Sequence, residues 1–598
     1  MLSRFPVVPV STGMLLTGVL AGLPSVANAQ AVQPPVQQPG IDAPTRDQIE
    51  QPRPDAATAP APRARVEASR AVEAAPCPFD RYDLQTVIST IRFSGPGDAA
   101  LPPEIAPLLS DIAAAPPAGT QPLKIVCDIR DRATSALRRA GYVASVQIPP
   151  QRLEGGELKL EVVTARIVEV RVRGDAGPYG ATIEARIAQL KALTPLNERD
   201  AERVLLLAGD IPGLDVQLGL RPAGTAPGEV IGDLTVAYRP FSILGNVQNY
   251  GSRQLGRETA YLRGEYYGLT GASDVTYLGG SATLDFDEQK VVQGGHIMGL
   301  GASGATIGLS GTYAWSRPDI GQLDLRSESL IAGLEVRAPL AVSVDRRLFL
   351  AGGMEMIEQR TRVHRVANGQ NVSDALNRDK LRVAYIRLDG TYRDRNAAGI
   401  ETFSLAGSLE LRQGLDILNA TKMNERNASG YTPSRPDGDP TATVIRGKLE
   451  SRIGVGPIFS LYGQARGQWS NNPLLNFEEY AIGNLTIGRG YDPGANSADR
   501  AIGLRGELIA KVIDLPARVE LFGFYDSVWL WNKDRNAIET DRRLGSYGGG
   551  VRAFVPGLAL VEAMYARPTN KALLLPNARR APDRFLMSIT LQFAPGAR

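Results

Sequence analysis

The sequence predicts two unlike parts, an α+β region up to about residue 240 and a large transmembrane β-barrel after it. Three observations carry this reading. From about 241 to 593 the chain reads as strands alone, with a two-residue alternation and no helical break. Glycine is high, 63 of 598 residues or about 10 %, against a usual value of roughly 7 %. Outside the extreme N-terminus there is no run of about 18 uncharged apolar residues, so crossing a membrane by helices is excluded.

The alternation places side chains. In Thr402–Arg412 the odd positions suit lipid and the even ones are hydrophilic, and Ala305–Tyr313 alternates apolar with small or polar residues. In Phe585–Phe593, Phe585, Met587, Ile589, Leu591 and Phe593 share one face, and Leu586, Ser588, Thr590 and Gln592 the other. Segments of about ten residues with apolar outside and polar inside mark a transmembrane barrel; a soluble β-sandwich also alternates, but 353 strand-only residues behind a secretory signal favour the barrel.

Composition narrows the function. A net charge of +3 on 598 residues argues against a general nucleic-acid binder, and two His with two Cys leave no His/Cys metal cluster. Gly299-x-Gly301-x-x-Gly304 matches a dinucleotide fingerprint by letters but is followed by β-like sequence, so it reads as a barrel turn. His296 and His364 stand apart from any nucleophile or carboxylate constellation, so no enzymatic role and no cofactor are expected.

Residues 1–29 read as a secretory signal, with Arg4, an apolar Met14–Val26 stretch and an Ala27-Asn28-Ala29 cleavage site. An anchor helix is the alternative, opposed by Pro24 and the short length. Residues 30–76 are rich in Pro, Ala and Gln and read as an extended linker, with a short helix expected in the Pro-free Arg63–Ala75. In an oxidising compartment Cys77 and Cys127 are expected to pair; two unpaired buried thiols are the alternative. The bridge would close a loop of 50 positions, worth roughly 3–4 kcal/mol by loop entropy.

Residues 77–164 follow a β-α-α-β-β order: a strand Val87–Phe93, helices Pro103–Ala114 and Lys124–Ala140, then strands Tyr142–Ile148 and Glu157–Val163. The order recurs over 165–240, with a strand around Ile167–Val172, helices Ala181–Ala192 and Pro195–Ala208, and strands Leu214–Leu220 and Val230–Tyr238.

At four segments the chain resembles outer-membrane transporters of two-partner secretion, the haemolysin secretion/activation family. They are Arg139-Ala140-Gly141-Tyr142 with Ile148-Pro149-Pro150-Gln151 and Gly156–Leu160; Leu205–Leu207 with Ile211–Leu214; Asn249–Arg253 with Gly256; and Gly488-Arg489-Gly490-Tyr491. The resemblance implies α+β periplasmic POTRA domains followed by a transmembrane β-barrel of about 16 antiparallel strands. The divisions are then a signal peptide 1–29, a Pro-rich linker 30–76, POTRA 1 at 77–164, POTRA 2 at 165–240, the barrel at 241–593 and a tail at 594–598. It also implies a plug helix, for which 30–76 offers no matching pattern, and a long loop folding Gly488–Tyr491 back into the lumen. The family's F-x-D-x-G strand motif stands here as Phe524-Tyr525-Asp526-Ser527-Val528, without the final Gly.

Alternation sends Val519, Leu521, Gly523 and Tyr525 to lipid and Arg518, Glu520, Phe522, Phe524 and Asp526 to the lumen. It likewise sends Leu504, Leu508 and Val512 out and Arg505, Glu507 and Lys511 in. Carboxylates facing hydrocarbon are costly, so the segregation is physical. An inward Arg489 is then expected to meet Asp526 first and Glu507 second, a guanidinium fork matching a carboxylate; a solvated loop arginine is the alternative. The resemblance implies export of an unfolded partner protein through the outer membrane, with lipid and the barrel-assembly machinery as further partners and no nucleic acid. An insertase for other barrels is the second reading, and a passive porin the third.

Overall fold

In the computed structural model the described residues are 43–50, 66–67, 76–79, 82–320, 324–367, 370–396, 399–423, 430–514, 517–534, 541–574 and 579–595. The signal-peptide reading of 1–29, most of the 30–76 stretch and the end of the tail lie outside them.

The first α/β unit packs two helices on a three-stranded sheet. Its strands are Thr90–Ser94, Glu157–Thr164 and Ala144–Gln147 in that order, the outer two parallel and antiparallel to the central one. The helix Ile125–Arg139 turns Val126, Ile129, Ala133 and Leu137 onto the sheet, where Leu158, Leu160 and Val162 alternate inward. The strand read at Val87–Phe93 is two strands, Gln85–Val87 and Thr90–Ser94. Buried Ile88 sits at the break, where the Ser89 N–H donates to the Gly156 carbonyl. Cys77 and Cys127 form a disulfide with their Cα atoms 5.8 Å apart.

The second unit repeats the order: Arg166–Asp175, the helices Gly180–Ala192 and Glu198–Gly209, then Leu214–Pro222 and Glu229–Tyr238. The Asn197 side chain caps the second helix by accepting from the Arg199 N–H. Instead of a helix at 63–75, the described pair Val66–Glu67 is a strand, parallel to Leu218–Gly219 on the edge of this sheet. Its backbone pairs with donors and acceptors that a sheet edge leaves open.

Sixteen antiparallel strands then close on themselves, the first, Phe241–Gln248, pairing with the last, Arg584–Phe593. Closure satisfies the backbone where no water can. Side chains alternate as expected: Leu504, Leu508, Leu521 and Tyr525 face out, while Phe522, Phe524, Glu507 and Asp526 are buried inside. Gly301 and Gly304 lie in the turn joining Gln289–Gly299 to Thr306–Ser316, as a barrel turn and not a nucleotide loop. Three adjacent strands, Asp324–Val342, Arg346–Ala367 and Gln370–Arg395, run 19, 22 and 26 residues, well beyond the ten or so expected.

The second unit sits against turns at one end of the barrel. The Arg186 Nη1 donates to the Ala302 carbonyl at 2.6 Å, and Arg347 pairs with Asp210 at 2.7 Å. The Tyr179 hydroxyl lies within 2.9 and 3.1 Å of the Pro212 and Asp274 carbonyls.

Replacing both cysteines by serine is expected to lower the unfolding free energy of a 77–240 fragment by about 3 kcal/mol, because a closure of 50 positions is lost from the unfolded chain. Urea melts of the fragment with and without reductant check it; coincident curves would show that the bridge adds nothing.

Candidate translocation lumen

The loop between Phe459–Ser470 and Arg500–Ile513 folds into the barrel instead of out from it. Its own two-strand ladder, Tyr480–Ala481 with Ser497–Ala498, stiffens it. Tyr480, Ile482, Ile487 and Tyr491 bury against the wall residues Val528, Leu530 and Leu544. Val528, where the resembled motif has glycine, thus fills apolar space beneath the loop.

Arg489 lies at the loop tip and is 3 % exposed as a side chain. Its Nη2 and Nε donate to Asp526 at 3.0 and 3.2 Å, and its Nη1 to Glu507 at 2.6 Å. The backbone N–H groups of Gly488 and Arg489 donate to the same Asp526 carboxylate at 3.1 and 2.9 Å. The guanidinium also stacks 3.6 Å from the centre of the Phe524 ring. Both carboxylates that alternation proposed therefore meet Arg489.

The flanking residues of the motif have separate reasons. Gly488 holds φ +116°, which side chains rarely adopt. A Cβ on Gly490 would come within 2.7 Å of the Pro568 nitrogen, so only glycine lets the loop touch the wall. The Tyr491 hydroxyl lies 2.9 Å from the Gly545 carbonyl and 3.1 Å from that of Asn570.

Two further arginines join the site. Arg505, the cross-strand neighbour of Asp526, donates to it at 3.1 Å. Arg552 pairs with Glu507 at 2.8 Å and with Glu562. Three guanidinium groups thus offset three carboxylates, which a poorly hydrated lumen requires. Alternation already puts Arg505 on the lumen face; only the strand register makes it a partner.

A second element is not legible in the sequence. Within the stretch read as linker, residues 43–50 lie inside the barrel and include a four-residue helical turn, Arg46–Ile49. Arg46 pairs with Glu355 at 2.7 Å, and Asp47 with Arg466 at 2.9 Å. The Gln359 amide donates to the Pro44 carbonyl at 3.0 Å. Ile49 is buried with Ile331, Ile357, Leu381 and the loop residues Leu475 and Phe477. Glu478 of the loop is held between Arg412 at 3.0 Å and Arg446 at 2.9 Å, linking plug, loop and wall. The linker reading of 30–76 is corrected for these residues: a turn this short has no amphipathic period to detect.

Below the plug a cavity of about 1690 Å³ opens, lined by Arg46 and Glu50 above, by Tyr277, Arg337 and Arg387 on the wall, and by Glu202, Leu207 and Asp210 of the second α/β unit. Burial, reinforced by Glu198 and Asp345, raises the Glu202 carboxyl above its ordinary value. The cavity joins the α/β region to the underside of the plug.

Arg489→Ala is expected to leave a closed barrel but to impair export at least tenfold, and Arg489→Lys to restore it only in part, an ammonium lacking the fork. A double-mutant cycle with Asp526→Asn on secretion and on loop proteolysis should give a coupling of about 1–3 kcal/mol. Strictly additive defects would uncouple the pair.

Arg46→Ala with Ile49→Asp is expected to unseat the plug. Single-channel conductance in planar bilayers should rise severalfold over the parent; unchanged conductance would mean that 43–50 does not limit ion flow.

Residues 372–553 match the model of the family described as haemolysin secretion/activation protein ShlB/FhaC/HecB. No curated protein matches the chain. Among solved structures, CdiB from Escherichia coli is similar at 17 % identity and a TM-score of 0.65, over 88 % of this chain and 94 % of that one. CdiB from Acinetobacter baumannii is similar at 13 % identity and a TM-score of 0.58, over 88 % and 91 %. BamA from Haemophilus ducreyi lacking POTRA domains 1–3 aligns at 13 % identity and a TM-score of 0.49, over 85 % of this chain and 100 % of that one. At these identities the two CdiB likenesses show a shared fold.

Proposed function

We infer that the chain is an outer-membrane translocation pore of the haemolysin secretion/activation family, exporting a partner protein by two-partner secretion. The observation that carries this is the plugged lumen: a sixteen-stranded barrel whose bore is filled by segments 43–50 and 471–499, seated through ion pairs and apolar contacts, above a cavity that reaches the second α/β unit. The pairs made by Arg46 and Asp47 keep contact with water and exchange for hydration at modest cost, so segment 43–50 is removable while segment 471–499, with its buried pairs, stays in place.

The α/β units then stand in the periplasm as two POTRA domains. An unfolded partner meets them in extended form and adds a strand at an exposed sheet edge, Thr90–Ser94 and Arg166–Asp175 being outermost in their sheets. It passes into the cavity and through the lumen once the plug leaves. The sequence holds no nucleotide-binding motif, so transport draws on the partner folding outside, and the chain acts as a transporter and not as an enzyme. Lipid surrounds the barrel, and the barrel-assembly machinery inserts it.

The 77–240 fragment is expected to bind the unfolded N-terminal part of a large secreted protein encoded nearby, with micromolar or tighter affinity by titration calorimetry. A folded fragment that binds unfolded barrel precursors instead would favour the insertase reading.

A further inference from the structure

The three longest strands continue outward past the bilayer without changing face. Register makes this explicit. In the row Leu309–Leu334–Met354–Ala384 the outward side chains are apolar, with Leu334 and Met354 more than two-fifths exposed. Two residues further out stands Gly311–Ala332–Met356–Arg382, in which Arg382 is buried and pairs with Glu358 at 2.8 Å. The next row is Tyr313–Leu330–Glu358–Lys380, then Trp315–Glu328–Arg360–Arg378, then Arg326 beside Arg362. Tyr313 and Trp315 lie with ring centres 4.5 Å apart and tilted, a ring pair of the kind that marks a lipid–water boundary. On other strands the outward face ends within three residues of such a ring, at Trp469, Trp531 and Tyr565. On these three strands it runs on, and the side chains level with the rings and beyond them are largely cationic.

Five cations, Arg326, Arg360, Arg362, Arg378 and Lys380, stand in these three outer rows with two carboxylates, Glu328 and Glu358. Those acids are already engaged: Arg360 holds Glu328 at 2.6 Å, and Arg378 and Arg382 hold Glu358 at 2.9 and 2.8 Å. One step further out, Asp324 lies between Arg317 and Arg326. Arg362 donates to the Ser373 carbonyl at 3.2 Å, and the Nε atoms of Arg362 and Arg378 are buried with no hydrogen-bond partner among the described residues. The patch is thus an array of forked donors with a surplus of positive charge, directly above a lipid-facing strip of Leu330, Leu334, Met354 and Met356.

We propose that this array is a binding site for the phosphorylated glycolipid of the outer leaflet, whose sugar phosphates sit on Arg360, Arg362 and Arg378 while its acyl chains lie along the Leu330–Met356 strip. Arginine forks match phosphate oxygens bidentately, and membrane-proximal basic residues each add attraction to an anionic lipid surface. Acyl chains alone select any lipid; phosphates alone select any anion; the stacked arrangement selects a molecule that has both. The inference rests on the outer-membrane placement and not on what the pore exports.

The test uses the full chain in detergent, titrated with bisphosphorylated lipid A, with lipid A stripped of phosphate, and with inorganic phosphate, each titration read by native mass spectrometry. The parent is expected to bind bisphosphorylated lipid A at least tenfold more tightly than the triple variant Arg360→Gln/Arg362→Gln/Arg378→Gln. The triple lysine variant should fall between them. Each barrel is checked as folded by its unheated gel mobility, and Arg362→Gln alone replaces the triple variant if that one does not fold. Equal binding by parent and glutamine variant overturns the proposal. So does equal binding of the phosphate-free lipid, or displacement by inorganic phosphate at matched concentration.

Discussion

The pairing of Phe241–Gln248 with Arg584–Phe593 is the constraint on which the rest of the molecule depends. A sheet in hydrocarbon cannot leave an edge, because each unpaired N–H or C=O there costs several kcal/mol. Once the sheet closes, the period of two puts every second side chain into a lumen that no lipid reaches. That lumen must be filled, and it must also be able to hydrate. The inner loop, the plug and their charge pairs answer that double requirement.

The Asp526 carboxylate is where the two demands meet most tightly. It accepts from Arg489, from Arg505 and from two backbone N–H groups, and it is wholly buried. The loop tip cannot shift without stripping Asp526 of Arg489 and of both backbone N–H groups, leaving Arg505 alone to hold the carboxylate. The plug is seated differently. Arg46 and Asp47 keep partial contact with water, and its buried apolar side chains are Pro44 and Ile49. One element of the filling is clamped and the other is poised to leave.

Much of this is legible in the sequence, for physical reasons that differ by element. Alternation survives any register error of two, so Leu521 and Asp526 can be assigned to faces without knowing which strands pair. Arg489 with its two glycines is readable only through the resemblance to the transporter family, since by itself a Gly-Arg-Gly-Tyr stretch between strands reads as a solvated loop. The plug is not, because its seating depends on Glu355 and Arg466, each hundreds of residues away, and nothing local in Ala43–Glu50 records them. Val66–Glu67 escapes for the same reason: a Pro-free stretch suggests a helix, while its partner, Leu218–Gly219, supplies the strand conformation. The outward extension of Arg346–Ala367 and Gln370–Arg395 is hidden because an average of about 22 residues per strand and loop conceals one long ribbon among short strands.

The strand at Val66–Glu67 has a kinetic consequence. It fastens the chain to the second α/β unit only fifteen positions, 51–65, beyond the plug. A 43–50 segment that left the lumen would therefore stay tied near the mouth of the pore. Its return is unimolecular, at an effective concentration of order millimolar for a tether this short, whatever the abundance of the protein. Reseating would then depend on the number of chain positions between the two segments and not on the search for a partner.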